Sequence, residues 1–472
     1  MSRLVVVSNR LDLPPGNHAP GGLAVSLAAI LRATGGLWFG WSGDVVAGAQ
    51  GLQRRTVGNI DYATVDLTPA EYRDYYHGFS NSVLWPLCHG LPSATASGAA
   101  HYLAYQKMNE RYAGLLFPLL ERSDLLWVHD FHLLPLGNHL RAAGCRHRIG
   151  FFLHVPFPPL QQQVEGKALL RALLAYDLIG FQTAEDLLAF QAAARWQWGA
   201  SAIADDGSLH AEGRSVATGV FPVGIDVDAV SAAALRMAPA EVAPWWPRGR
   251  DVPRLIGADR LDATKGLPLR LEAYKYFLAT QPCNAGLPDY LQLVTPSRND
   301  LPAHQSLRES IQVATIAVNR LHTATNANEG AENLALRCAF TAVEHTTLMG
   351  LLATADVGLI TPLKDGMNLL AKEFVAAQPA ANPGVLVLSA YAGAARELEA
   401  ALLVDPRDVH EVARAIATAL NMPLSERQQR QLTLLAALKR NERSAWQERF
   451  LERLLDCRAY GEARKRATEG PY

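Results

Sequence analysis

Five cysteines among 472 residues, an odd number with no C-x-x-C pair, leave little for a disulfide framework or a zinc cage. They stand far apart, at Cys88, Cys145, Cys283, Cys338 and Cys457, and such scattered thiols fit a reducing cytoplasm. Long apolar runs are also missing. No stretch of about 18 apolar residues occurs, so no transmembrane helix is expected. The opening MSRLVVVSNRLD has one short apolar run before charge returns, too short for the apolar region of a signal peptide. Neither sign of charge is in excess: 44 Lys plus Arg face 45 Asp plus Glu, for a net charge of −1. Nothing global therefore argues for a polyanion-binding surface, and neither nucleic acid nor membrane is expected as a partner. Any anion must be held by a few placed basic residues.

Apolar material is plentiful, at 49% hydrophobic against 19% charged residues. A chain of this length, at roughly 150 residues per domain, divides into two or three domains. Leu4–Ser8 is a β-branched run that reads as a buried parallel strand, with Arg10 at its carboxyl end. The following loop holds Gly21 and Gly22 just before helical sequence. It matches neither G-x-G-x-x-G nor Walker A, so it reads as a plain glycine turn or as a close backbone approach to a ligand. Gly35–Gly43 and Tyr72–Trp85 are rich in aromatics, which suit a carbohydrate or a core equally.

A regular βα rhythm then sets in. Strands are expected at Leu125–His129, Ile149–Val155, Leu178–Gln182 and Val220–Gly224. Polar residues stand where strands end: Arg10, His129, Asp130 and His154. Four such positions in one half point to a shared crevice. Asp226-Val227-Asp228 has the D-x-D form of some metal-holding sugar transferases, but its place before a helix favours N-capping. The proline-rich stretch Ala238–Pro253 is the best domain boundary. A second βα series follows, with strands at Leu255–Asp259, Leu291–Thr295, Leu336–Phe340, Val357–Thr361 and Val385–Leu388, and the alternation carried on at Ala392–Ala395 and Leu402–Val404. Ser425–Leu455 reads as one long terminal helix. Two series imply an α/β protein of two doubly wound, Rossmann-like domains facing across a cleft. The division expected is 1–240, 241–440, and 441–472 as a helix crossing back to the first domain, plus a tail.

Val357–Ala377, VGLITPLKDGMNLLAKEFVAA, stands at the centre of the second series. It reads as a strand, a loop punctuated by Pro362 and Gly366, and a helix opening near Asn368. A helix start has unpaired N–H groups and the positive end of the macrodipole, so it suits an anion. Asp365 and Glu373 lie beside it, as a ligand site or as an ordinary βα unit with solvated carboxylates. Arg260 and Lys265 share one βα loop, RLDATKG, and with the helix start could bind a diphosphate.

These blocks, in this order, resemble glycosyltransferase family 20, the trehalose-6-phosphate synthase family, from Leu4 to about Phe450. They include LVVVSNR, GGLAV, GGLWFGWSG, FSNSVLWP, WVHDFHLLPL, IGFFLHVPFP, RLDATKGLP and DVGLITPLKDGMNLLAKEFVAAQ. The resemblance implies the two-domain GT-B fold and a retaining glucosyl transfer without a metal or other cofactor. It implies a nucleotide-sugar donor, UDP-glucose, and glucose-6-phosphate as acceptor. The alternatives are a related synthase with another phosphorylated acceptor, such as glycerol phosphate, or a non-catalytic sugar-phosphate-binding paralogue.

Carried over motif by motif, the donor side is Gly21, Gly22, Arg260, Lys265, Asp365, Gly366, Met367, Asn368, Leu369, Leu370 and Glu373. Arg260 and Lys265 would take the diphosphate, Glu373 the ribose and Asp365 the transferred sugar. The acceptor side is Arg10, Tyr76, Trp85, Asp130 and Arg298, with His154 touching the donor glucose. Arg260, Lys265, Asp130, His154 and Asp365 form the catalytic set. The chain departs from the family at Phe131, where Tyr is common, in the small-residue loop 87–100, and through Thr323–His345. Acceptor and base preference are the properties these changes touch. A homo-oligomer is left open.

Overall fold

The computed structural model describes residues 2–11, 13, 22–48, 51–92, 98–246, 252–280, 288–296, 302–325 and 334–457. Gly21, Arg298 and part of the loop 87–100 lie outside them. The chain forms two compact units, Met1–Pro222 with Ser444–Tyr472, and Val223–Arg443. The chain thus divides at Pro222–Val223, upstream of the proline-rich stretch at 238–253. The helix Val227–Arg236 packs in the second unit because its apolar face, Val227 and Val230, joins a core with Met349 and Phe374. Trp246 is buried in that same core.

The first unit is built on β1 (Leu4–Arg10), β2 (Gly36–Val45), β3 (Gln53–Val57), β4 (Ile60–Leu67), β5 (Leu125–His129), β6 (Arg148–Phe152), β7 (Leu178–Phe181), β8 (Leu209–Ala211) and β9 (Arg214–Val220). They form a sheet in the order β3-β4-β2-β1-β5-β6-β7-β9-β8. The interior pairings are parallel, and an antiparallel hairpin closes each edge, β3 on β4 and β8 on β9. Central strands are apolar on both faces, as helix-covered parallel strands must be: every residue of β5 and β7 is buried. The order reverses at β1, whose parallel neighbours are β2 and β5.

The second unit holds β10 (Arg254–Arg260), β11 (Asp289–Thr295), β12 (Leu336–Ala339), β13 (Val357–Ile360), β14 (Val385–Ser389) and β15 (Leu402–Val404). Their order is β12-β11-β10-β13-β14-β15, and all recorded pairings are parallel. This is the doubly wound dinucleotide-binding order, with its switch point between β10 and β13.

Several expected elements take another form. The strand beside Val220 is Arg214–Val220 and ends where 220–224 was expected to begin. Pro222 has no N–H for a ladder, and the chain passes from one unit to the other there. The 392–395 stretch is a tight turn, Gly393–Arg396. A Cβ on Gly393 would stand 1.9 Å from the Gly366 carbonyl oxygen, so two backbones touch there. The aromatic run Tyr72–Leu84 winds as a π-helix, a form usually confined to single turns near functional sites. The expected long C-terminal helix is two, Leu424–Arg440 and Arg443–Asp456.

The last helix belongs to the first unit. Trp446, with no exposed surface, lies 5.0 Å from Trp127 and 5.3 Å from Phe152, and Phe450 stacks on Trp127 at 4.8 Å. Trp446→Ala is expected to lower the stability of this unit by about 3–5 kcal/mol, the usual cost of emptying a buried aromatic site. Urea denaturation followed by circular dichroism checks this, and an unchanged midpoint counts against the packing role.

Candidate active site

Both switch points gather the polar residues that the sequence singles out. In the second unit, β10 ends at Arg260, which is exposed. Its loop turns through Asp262, whose carboxylate accepts the Thr264 N–H at 3.0 Å, and presents Lys265. Next door, β13 ends at Ile360 and the chain loops to Asn368. Asn368 has a left-handed φ of 74°, and its side-chain oxygen accepts the Ala371 N–H at 3.1 Å, capping the helix Leu369–Ala377. Its amide donates to Asp365 Oδ2 at 3.1 Å. Lys265 Nζ donates to the same carboxylate. Lys265, Asp365 and Asn368 therefore form one polar cluster at a helix N-terminus, with the first two largely buried.

The loops carrying this cluster are knit together by backbone. Leu363 N donates to Thr264 O at 2.8 Å, Gly393 N to Asp365 O at 3.1 Å, and Ala394 N to Met367 O at 2.7 Å. Beneath them lies Arg270, 1% exposed. Its guanidinium pairs with Asp259 and donates to Thr361 Oγ1 at 2.9 Å, Gln292 Oε1 at 3.1 Å and Lys265 O at 3.2 Å. Arg270 thus fixes the loop of β10 to the end of β13. Sequence reasoning missed it, because an arginine inside a helix reads as a solvated face.

Glu373 sits in the second turn of the capped helix, with 17% of its side chain exposed, and His345 Nε2 lies 3.7 Å away. The Glu373 carboxylate raises His345 above its usual pKa, against an opposing effect of burial. His345 is a second missed residue; 28 positions separate the two, and no periodicity links them.

In the first unit, Arg10 ends β1 and Asp130 follows β5, and these two strands are paired at the switch point. The Arg10 guanidinium lies 5.7 Å from the Trp41 ring centre. Trp41 meets Tyr76 at 5.1 Å, and Tyr76 stacks on His132 at 5.9 Å. His132 lies 3.9 Å from Phe131, which meets Trp85 at 5.8 Å. A contiguous aromatic strip therefore joins the expected residues Arg10, Tyr76 and Trp85, through Trp41 and His132, which the sequence reading did not name. Phe131 is 1% exposed, so the ring at this departure from the family pattern is packed against Trp85 and His132.

Asp130 adopts φ 76°, a strained value for a residue with a side chain. Its carboxylate accepts the His154 N–H at 3.3 Å. The His154 ring lies against Phe152 and Trp446 and shares a hydrogen bond of 3.0 Å with His129. Burial pushes His154 down to about 3, and burial followed by the His154 charge pushes His129 well below the ordinary histidine value. Both imidazoles are neutral at pH 7.

Gly22 begins the helix Gly22–Thr34. Asp226, of the D-x-D triplet, caps Val227–Arg236 by accepting the Ala229 N–H at 2.9 Å, and Arg443 donates to its other oxygen at 2.8 Å. Among the described residues no cluster of His, Cys, Asp and Glu has the arrangement of a metal site, nor is any helix long and apolar enough to cross a membrane.

Comparison with known proteins places this architecture. The profile of glycosyltransferase family 20 matches residues 9–456. A trehalose-6-phosphate synthase from Klebsiella pneumoniae is 41% identical over 464 residues, covering 96% of this chain and 95% of that protein. An E. coli structure, described as trehalose-6-phosphate bound with UDP-2-fluoro glucose, aligns with a TM-score of 0.90 at 39% identity, over 97% of this chain and all of that one. The UDP-forming α,α-trehalose-phosphate synthase of Burkholderia xenovorans in complex with glucose-6-phosphate aligns at 0.89 and 37% identity, over 96% of this chain and all of that one. Two parallel-sheet units, two polar switch points and a match along nearly the whole chain agree: the protein belongs to glycosyltransferase family 20 and has the GT-B fold.

Proposed function

We propose that this enzyme transfers glucose from UDP-glucose to glucose-6-phosphate with retention of configuration, giving α,α-trehalose 6-phosphate and UDP. The observation that carries the reading is the cluster of Lys265, Asp365 and Asn368 at a capped helix start, on the switch point of a dinucleotide-binding sheet. The relatives named above, whose described ligands are a UDP-sugar analogue and glucose-6-phosphate, support it.

On this reading Arg260, Lys265 and the backbone N–H groups of 366–370 hold the diphosphate. A lysine ammonium has three N–H groups. One is oriented by Asp365, and the others can meet phosphate oxygens. Asp365 takes the hydroxyls of the moving sugar and Glu373 those of the ribose. The same cations stabilise charge as it develops on the leaving diphosphate, which removes the need for a metal. Arg10 and Tyr76 bind the acceptor phosphate, Asp130 the acceptor hydroxyls, and Trp85 the sugar face. His154, neutral, is a hydrogen-bonding partner of the donor glucose and not a proton donor. The leaving diphosphate accepts the acceptor's proton, so no general-base carboxylate is required. The scattered thiols support a cytoplasmic setting.

UDP release from UDP-glucose, measured with and without glucose-6-phosphate, tests the reading. Release that depends on that acceptor supports it, and no release from any nucleotide-glucose sinks it. Arg260→Ala is expected to cut kcat by roughly 10² or more, the scale of losing one oxyanion donor; near-normal turnover contradicts its role. Arg10→Ala is expected to raise the KM for glucose-6-phosphate about 10–100-fold, as a lost charge-assisted hydrogen bond does. With unphosphorylated glucose as acceptor the two proteins should perform alike, and an equal defect there argues against a phosphate contact.

His129 and His154 supply a pH prediction. Their folded values lie below the ordinary histidine value. The stability they contribute is therefore present above about pH 6.5 and is lost as pH falls below it, for His154 down to about 3. Their imidazole resonances should stay unshifted between pH 8 and 5, and a midpoint near 6.5 for either contradicts the buried neutral pair.

A further inference from the structure

One residue before Glu373, the helix Leu369–Ala377 carries a lysine with no exposed surface. Lys372 Nζ donates to the Val223 carbonyl at 2.8 Å and to Glu397 Oε1 at 2.5 Å. The other oxygen of Glu397, whose side chain is 9% exposed, accepts the Asn441 amide at 3.0 Å. Val223 is the first residue of the second unit, and Asn441 stands two before its last, Arg443. One buried ion pair therefore reaches both segments through which the chain arrives in this unit and leaves it. Those segments also hold each other. Arg443 N donates to Ile225 O at 3.1 Å, and a Cβ on Gly224 would stand 2.0 Å from the Asn441 carbonyl oxygen. On its other side, Glu397 follows the Gly393–Arg396 turn, which is bonded to Asp365 and Met367.

Stability does not account for this pair. A buried ion pair roughly breaks even against apolar residues of the same volume, which would fill the place without desolvating two charges. What the charges add is direction. An apolar contact tolerates sliding, whereas Lys372 must meet one carbonyl and one carboxylate at fixed positions.

We propose that Lys372 and Glu397 are positioning residues for the transfer reaction. They hold the start of the helix 369–377, and Glu373 with it, in register with both connecting segments, so that the donor-binding helix and those segments move as one body. This rests on the donor role given above to that helix start.

The test compares Lys372→Met with Lys372→Met/Glu397→Met. The single variant leaves a buried carboxylate unpaired and should melt well below the parent. The double variant should recover the parental melting temperature. Its affinity for UDP, measured by titration calorimetry, should still fall about tenfold, and kcat/KM for UDP-glucose roughly 10²-fold, as displaced binding groups cause. Amide exchange at 223–226, 369–373 and 441–443 should quicken together. A double variant with parental melting, UDP affinity and kinetics overturns the proposal. If that variant does not purify folded, Glu397→Gln, which removes the charge and leaves one acceptor oxygen where Lys372 and Asn441 use two, is measured on the same scale, and parental values there overturn it. A parent protein that binds UDP yet releases none from UDP-glucose and glucose-6-phosphate refutes the proposed reaction, while UDP titration and amide exchange still decide the positioning role.

Discussion

A guanidinium sealed from water must find acceptors inside the protein, and Arg270 finds them on four segments. It reaches Asp259 on β10, Gln292 on β11, Lys265 in the loop after β10, and Thr361 just beyond β13. Each acceptor fixes a piece of backbone in space, since leaving a buried charge unpaired costs several kcal/mol. The strand ends at the switch point and the loop that presents Lys265 are therefore set by one side chain. Everything built above them inherits that placement: the Lys265–Asp365 pair, the Asn368 cap and the helix start.

The first unit solves its own positioning problem with aromatic surface. The strip from Trp41 through Tyr76 and His132 to Phe131 and Trp85 is a chain of ring contacts, anchored where Arg10 leaves β1. Rings have few rotatable bonds and large contact area, so a chain of them orders cheaply and keeps polar edges available. The π-helical winding of Tyr72–Leu84 sets the angular spacing of Tyr72 and Tyr76, whose rings stack at 5.5 Å. Next to this strip, the neutral histidine pair is walled by Phe152, Trp127 and Trp446. Apolar walls keep those imidazoles uncharged, which suits a hydrogen-bonding role and disfavours proton transfer.

Charge within the second unit is thus used for geometry more than for stability. Arg270 locks the loop that carries Lys265, and Lys372 ties the helix Leu369–Ala377 to Val223 and Glu397.

The local pattern of the sequence was enough for most of the strands and for the polar residues that stand where strands end. Runs such as LVVVS and LLWVH lie fully inside because β-branched and apolar residues on both faces have no other stable place, and Asp365, Asn368, Lys265 and Asp130 were legible because they follow such runs. The D-x-D triplet was legible as a cap, since an aspartate before a helix satisfies an unpaired N–H whatever surrounds it. Only the tertiary structure decided what depends on distance along the chain: the supports Arg270, Trp41, His132 and Lys372, the division at Pro222–Val223, and the return of Trp446 to the wall of the first unit. Their deciding partners lie tens to hundreds of residues away, as Thr361 does from Arg270, Tyr76 from His132, Val223 from Lys372 and Trp127 from Trp446, beyond any helical or strand period. A turn motif is fixed by neighbours in sequence, but a buried cation or an aromatic wall is fixed by whatever folding brings beside it.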